Sequence, residues 1–214
     1  LAQLREGSMN PVAGALLYVP FLARARYLET VSAAVNEGEE DFTREQMALT
    51  VFYLNVFRVR SVEAFKLMAP EEVGLLIGKL TSPTLWTIRR FLGSVAEYAR
   101  TEAVAEAVTT TWLRLGFVSP SPLYMDGHFM PYYGKKVIAK GYWPQRQLGL
   151  KGSELFMAVD TRFRPVCWTL TSCQTDLTAA IPALLTRLQR LATAAGVPVE
   201  RLTVIFDREG YSGP

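Results

Sequence analysis

Leu123-Tyr124-Met125-Asp126-Gly127-His128 and Val204-Ile205-Phe206-Asp207-Arg208-Glu209-Gly210 are the two stretches on which the fold turns. Each is a short apolar run that carries or ends in an aspartate. Leu123 to Phe129 reads as a strand. Arg201 to Phe206 reads as a fully apolar strand, the pattern of a buried, parallel position. An aspartate after a buried strand is costly unless something pairs with it. If the two strands are neighbours, Asp126 and Asp207 converge, and close carboxylates raise a pKa or attract a cation. Taken singly, either acid reads as a strand-end aspartate capping a turn.

Between these two strands the text supplies a sheet and one helix. Glu154 to Val159 reads as a strand, Thr161-Arg162-Phe163-Arg164 as a turn, and Pro165 to Thr171 as the returning strand. Asp176 is placed as the N-cap of a helix through Ala195, with Leu177, Ile181, Leu184, Leu185, Leu188 and Leu191 on one side and Gly196 as its stop. A hairpin followed by a crossover helix is an α/β grammar. Ser119-Pro120-Ser121-Pro122 reads as the boundary with what precedes it. Residues 1–118 form a helical region and 119–214 the sheet-bearing one.

The helical region opens with Pro11 to Val35, apolar at helical spacing. Thr43 is the N-cap of a helix carrying Met47, Thr50, Val51, Leu54 and Phe57. Ser61 to Met68 is a short helix. Pro70-Glu71-Glu72 starts another that ends near Gly78. Ser82-Pro83 starts the next, running with a break at Gly93 to about Leu115. Helix, turn and helix over 70–98, with Arg89 and Arg90 on the second, fit either a DNA-binding helix-turn-helix or an ordinary helical hairpin.

Composition narrows the class. The chain has 214 residues, 50% apolar and 20% charged, which excludes a disordered or collagen-like polymer. The longest apolar run, Val12 to Ala23, is too short to span a bilayer. No signal-peptide pattern opens the chain. Cys167 and Cys173, read as buried thiols, make no disulfide framework. The single histidine, His128, leaves no zinc site. A cytoplasmic setting is expected. The net charge is +3, and it is unevenly spread: −1 over residues 1–120 and +4 over 121–214. Lys135, Lys136, Lys140, Arg146 and Lys151 lie between Asp126 and Glu154 with no acid among them. With Tyr132, Tyr133, Tyr142 and Trp143 interleaved, this stretch suits a polyanion. It also reads as a solvated, lysine-rich loop.

Tyr124-Met125-Asp126-Gly127-His128, Gly141-Tyr142, Val159-Asp160 with Pro165-Val166, and Thr203 to Ser212 together resemble the DDE-type transposases of bacterial insertion sequences. The resemblance covers about residues 121–214. It implies a ribonuclease H-like fold, here an incomplete mixed sheet with a crossover helix after a helical region, overall α+β or α/β. It implies that Asp126 and Asp207 are the first two catalytic, metal-binding acids. They would hold Mg²⁺, with Mn²⁺ as the alternative ion, for two-metal cleavage and joining of DNA at element ends and target. On this resemblance Lys135, Lys136, Lys140, Arg146, Lys151 and Arg208 contact DNA. The full-length protein would be a homo-oligomer of the bacterial cytoplasm or nucleoid, with no membrane association. The family's third acid, usually a glutamate on a later helix, has no counterpart before Pro214, and Glu209 is too close to Asp207 to take the role. The chain therefore reads as a fragment, inactive alone.

Alternatives remain at this point. One is a DNA-binding transposase remnant without catalysis, and another a different ribonuclease H-like nuclease. A third is an α/β enzyme using the two acids as acid and base. His128 shares the strand face of Asp126 and reads as a phosphate contact or as a polar partner near a strand end. Asp160 falls at a hairpin turn and Asp176 at a helix cap.

Overall fold

In the computed structural model the described residues are 9–35, 41–97, 100–143, 146–197 and 199–206. The chain divides into two compact units, Leu1–Val108 and Thr109–Pro214.

The first unit is helical. A 3-10 helix, Ala13–Tyr18, leads into α1 (Val19–Arg24) and α2 (Tyr27–Ala34). The continuous helix expected over Pro11 to Val35 is broken because Arg26 takes a left-handed backbone, φ 50°. Its guanidinium Nε donates to Glu29 Oε2 at 2.8 Å in the first turn of α2. α3 (Arg44–Val56) starts at Thr43 as the sequence indicates, through a reciprocal capping box. Thr43 Oγ1 accepts the Gln46 N–H at 3.3 Å and Gln46 Oε1 accepts the Thr43 N–H at 3.0 Å. Ser61 to Met68 forms a 3-10 helix, Val62–Leu67, rather than an α-helix. α4 (Pro70–Leu76) has proline in its first turn and ends before Gly78, φ 75°. α5 (Leu85–Glu97) begins two residues later than Pro83, because the Thr84 hydroxyl accepts the Thr87 N–H at 3.1 Å. It continues through Gly93 without a break.

The connection from α4 to α5, residues 77–84, is longer than the three- or four-residue turn of a helix-turn-helix. Arg89 on α5 is ion-paired with Glu63. The connecting loop is tied back to the start of α4: the Ser82 N–H donates to Pro70 O at 2.8 Å. Met47, Phe65, Val73, Ile88 and Phe91 are among the buried residues of the core around it.

α6 (Arg100–Arg114) carries the division between the units, which falls at Val108/Thr109. The reason is that its last turns join the second core. Leu113 is buried there, and the Thr109 hydroxyl donates to Val166 O at 2.7 Å. Ser119 to Pro122 is likewise fixed within the second unit. Ser121 Oγ accepts the Thr203 N–H at 3.0 Å.

The second unit is a five-stranded mixed sheet with one helix. β1 is Leu123–Pro131, β2 Lys140–Trp143, β3 Leu148–Asp160, β4 Pro165–Ser172 and β5 Val204–Phe206. The order is β2-β3-β1-β5, with β4 also paired to β3. β3 is antiparallel to β1, β2 and β4, whereas β5 is parallel to β1. α7 (Leu177–Ala194) crosses from β4 to β5. Asp176 Oδ1 caps it by accepting the Ala179 N–H at 2.7 Å, and Gly196, φ 71°, follows its end. Leu177, Ala180, Leu184, Leu188 and Leu191 pack with Leu123, Met125, Phe156, Ala158 and Val166 into one core.

Three strand expectations change. β3 begins at Leu148 instead of Glu154, because Leu148–Lys151 pairs with β2. The basic stretch is therefore partly a hairpin and not simply a loop. β5 is parallel as expected but not buried: Ile205 is 43% and Phe206 38% exposed. Among the described residues it pairs with β1 alone, so it is an edge of the sheet. Cys167 is buried in β4, but Cys173, one residue past the strand, is only half-buried.

Candidate active site

β1 alternates strictly at its start. Leu123, Met125 and Phe129 point into the core shared with α7 or its surroundings and are buried. Tyr124, Asp126, His128 and Met130 therefore stand on the opposite face, and all four are exposed. Asp126 lies opposite Met157 of β3, and His128 opposite Leu155. Asp126 Oδ1 accepts the Gly127 N–H at 2.8 Å. Gly127 is required there by its surroundings: a Cβ would lie 2.9 Å from the Phe156 ring. The carboxylate is thus oriented by its own strand and open to solvent.

Asp207 and Arg208 lie outside the described residues. The residue before Asp207 is placed, however. Phe206 is the register partner of Met125, which precedes Asp126. Among the described residues no cluster of three or more His, Cys, Asp or Glu side chains is disposed to hold a metal. Asp126 is the one acid of the described residues on this open face of β1.

Two other acids of this unit, Asp160 and Asp176, have structural work. Asp160, at the end of β3, is fully buried. Its Oδ1 accepts the Arg162 and Arg164 N–H groups at 2.9 and 3.0 Å, and its Oδ2 accepts Arg164 Nε at 2.8 Å and the Ser119 N–H at 3.3 Å. Burial pushes this carboxyl up, but the Arg164 guanidinium and the three backbone amides outweigh it and hold it below the usual carboxylate range. Asp176 is also held low, by the Thr178 hydroxyl and the Ala179 N–H. Both acids do what turn and cap positions demand.

The basic segment sorts into two kinds of residue. Lys135, Lys136, Lys140 and Arg146 are exposed. Lys151 is half-buried, and its ammonium donates to Gly134 O at 2.7 Å and Lys136 O at 3.1 Å, while lying 5.4 Å from the centre of the Tyr132 ring. It clamps the loop between β1 and β2. No local sequence signal marks that role, because its partners are carbonyls 15 and 17 residues away. Arg146 stacks over Trp143 at 5.0 Å, and Trp143 leans on Phe129. Sequence reasoning also missed Phe163, whose ring stacks on Tyr124 at 5.9 Å beside the open face. Its left-handed backbone, φ 57°, sets that position, and nothing in the Thr161–Arg164 text announces it.

No helix among the described residues is long and apolar enough to cross a membrane. Neither the curated proteins nor the solved structures that were compared gave a match. A family model described as "Transposase protein" matches residues 10–214. Transposases act on DNA, the polyanion that the basic β1–β3 segment suits. With nearly its whole length matched, the chain belongs to this transposase family.

Proposed function

We propose that the sheet-bearing unit is the catalytic part of a DDE-type transposase with a ribonuclease H-like core. In this reading Asp126 and Asp207 hold Mg²⁺, or Mn²⁺ in its place, and the protein cleaves and rejoins DNA at element ends. The observation that carries it is the parallel register of β1 and β5, which pairs Met125 with Phe206, each followed in the chain by an aspartate. The strand order β4-β3-β1-β5, with α7 crossing over, supports the ribonuclease H-like core.

Hard oxygen donors suit Mg²⁺, which takes one or two carboxylates and keeps waters and phosphate oxygens as its remaining ligands. Bound there, the ion would polarise a phosphodiester and lower the pKa of an attacking water. The protein's own residues do the rest. Asp126 presents a carboxylate fixed by the Gly127 N–H. His128, two residues along the same face, would donate to a phosphate oxygen. Lys135, Lys136, Lys140 and Arg146, with Arg208 beyond β5, neutralise backbone charge without reading sequence.

The test is iron-directed cleavage. Fe²⁺ and ascorbate in place of Mg²⁺ generate radicals that cut the polypeptide next to a bound ion. Cuts close to residues 126 and 207, both lost in Asp126→Asn, are expected. Cuts scattered along the chain, or cuts that survive Asp126→Asn, overturn the reading.

A further inference from the structure

Four aromatic residues are interleaved with the lysines of the β1–β3 segment, and the structure separates them into two pairs. Tyr132 and Trp143 are part of the scaffold. Tyr132 Oη accepts the Lys136 N–H at 3.3 Å and its ring lies under Lys151. Trp143 packs against the Phe129 ring and carries the Arg146 guanidinium over its own. Tyr133 and Tyr142 have no such duty. They are 76% and 62% exposed, far above what an aromatic ring shows when it is part of a core.

Tyr142 is also set on a bare platform. Its partner across the β2–β3 pair is Gly149, where even an added Cβ would meet nothing within 4 Å. The ring therefore has no cross-strand side chain to cover it. Lys140 lies two residues before it, on the same strand face and about 6.7 Å along the chain, and is exposed as well. The other face of β2 is closed: Gly141 lies against Cys173 and Phe129. The hairpin thus buries one side and offers a ring and a cation together on the other.

We propose that Tyr142, assisted by Tyr133, stacks on unpaired bases, so that this hairpin is a single-strand contact and not merely a phosphate-neutralising one. The inference rests on the DNA reading given above and deepens it. The physical argument is one of access. In a duplex both faces of each internal base are covered by neighbouring bases, so a protruding ring has nothing to stack on. In a single strand or at a frayed end a base face is free, and every base has one, so the contact is tolerant of sequence. Lys140 and the Lys135-Lys136 pair follow the phosphates of the same strand.

Fluorescence anisotropy with the whole chain tests this, using a labelled 20-mer single strand and a fully paired duplex of the same sequence. For Tyr142→Ala, affinity for the single strand should fall about tenfold, the scale of one lost stacking contact. Duplex affinity should change less than about twofold, because only phosphate contacts serve there. Tyr142→Phe should retain single-strand affinity, since stacking needs the ring and not the hydroxyl. The exposed site and the vacant space at Gly149 make all these variants compatible with the fold. Equal losses on both DNAs, or no loss on either, overturn the stacking assignment while leaving salt-dependent DNA binding in place. If the unaltered chain binds neither DNA in a salt-dependent way, the DNA reading itself falls.

Discussion

Met125 of β1 and Phe206 of β5 are partners in a parallel register, although 81 residues separate them in the chain. The pairing requires the chain, after building the strands on the other side of β1, to cross back over the sheet before β5. β3 and β4 build outward from β1, and α7 carries the chain back across the covered face. The consequence is chemical. The residue after each partner is an aspartate, and on β1 that aspartate faces away from the core. A sheet edge that is parallel and incompletely covered is a natural place for ligands, because strand ends there are not filled by side-chain packing.

Asp126 should matter to metal binding and hardly at all to folding. Its side chain is exposed and accepts the N–H of its own neighbour, Gly127. Asp126→Asn keeps that acceptor. Stability should shift by no more than about 0.5 kcal/mol, as for surface changes generally. Mn²⁺ affinity, read by electron paramagnetic resonance of the free ion, should fall at least about tenfold, a scale reached even by outer-shell changes at metal sites. An unchanged Mn²⁺ isotherm would remove Asp126 from the site.

Asp160 should show the opposite behaviour. It is buried, and it satisfies three backbone amides and the Arg164 guanidinium. Asp160→Ala should destabilise the sheet unit by about 2–3 kcal/mol, somewhat below the loss from a wholly buried pair because Arg164 keeps a third of its exposure. The folded carboxyl is held low, so its contribution is fully present above the ordinary aspartate value of about 3.9. That contribution is lost as pH falls through the lowered folded value. Urea unfolding at pH 7 and at pH 3 checks both points: the gap between wild type and Asp160→Ala should be wide at pH 7 and narrower at pH 3.

What was legible in the sequence was what is decided locally. α7 could be placed from its apolar stripe, its Asp176 cap and its Gly196 stop, since each acts within one turn. That Asp126 and His128 share a strand face followed from strand alternation; that this face is the outward one rests on the burial of Leu123, Met125 and Phe129. What was hidden is decided at a distance or by the backbone. The apolar spacing of Pro11 to Val35 runs straight through Arg26, and an arginine gives no warning of φ 50°. β2 was obscured because Lys140-Gly141-Tyr142-Trp143 has a glycine and little alternation; it becomes a strand by pairing with Leu148–Lys151. That the last turns of α6 are drawn into the second core is likewise decided at a distance, since α6 looks uniform in sequence.

Two glycines in the helical unit should respond oppositely to alanine. A Cβ at Gly74 would lie 2.6 Å from the backbone of Thr81, which the Ser82-to-Pro70 hydrogen bond holds in place. Backbone cannot swing aside as a side-chain end can, so Gly74→Ala should cost about 1–3 kcal/mol. Gly93 sits inside α5 with nothing within 4 Å of a would-be Cβ. Gly93→Ala should stabilise by about 0.5–1 kcal/mol, because alanine loses less backbone entropy in a helix. Thermal unfolding followed at 222 nm should move in opposite directions for the two variants. A shift of the same sign in both would mean that the Thr81 backbone does not lie against α4 as closely as described.

Lys151 and the neighbouring lysines should separate cleanly, although all carry the same charge. Lys151 Nζ bonds two carbonyls of the β1–β2 loop, so its charge is partly spent on structure. Lys151→Met keeps the stem and removes the donors, leaving the Gly134 and Lys136 carbonyls without it. Amide exchange over residues 134–138 should then accelerate, as expected when a loop loses its tie and opens locally. Lys135→Gln and Lys136→Gln remove exposed charges that tie nothing, so exchange there should be unchanged. Instead, each should lower the slope of log affinity against log salt by about 0.7–0.9, one counterion per phosphate contact. Were Lys135→Gln to speed exchange while Lys151→Met left it alone, the division of this segment into clamp and contact would be reversed.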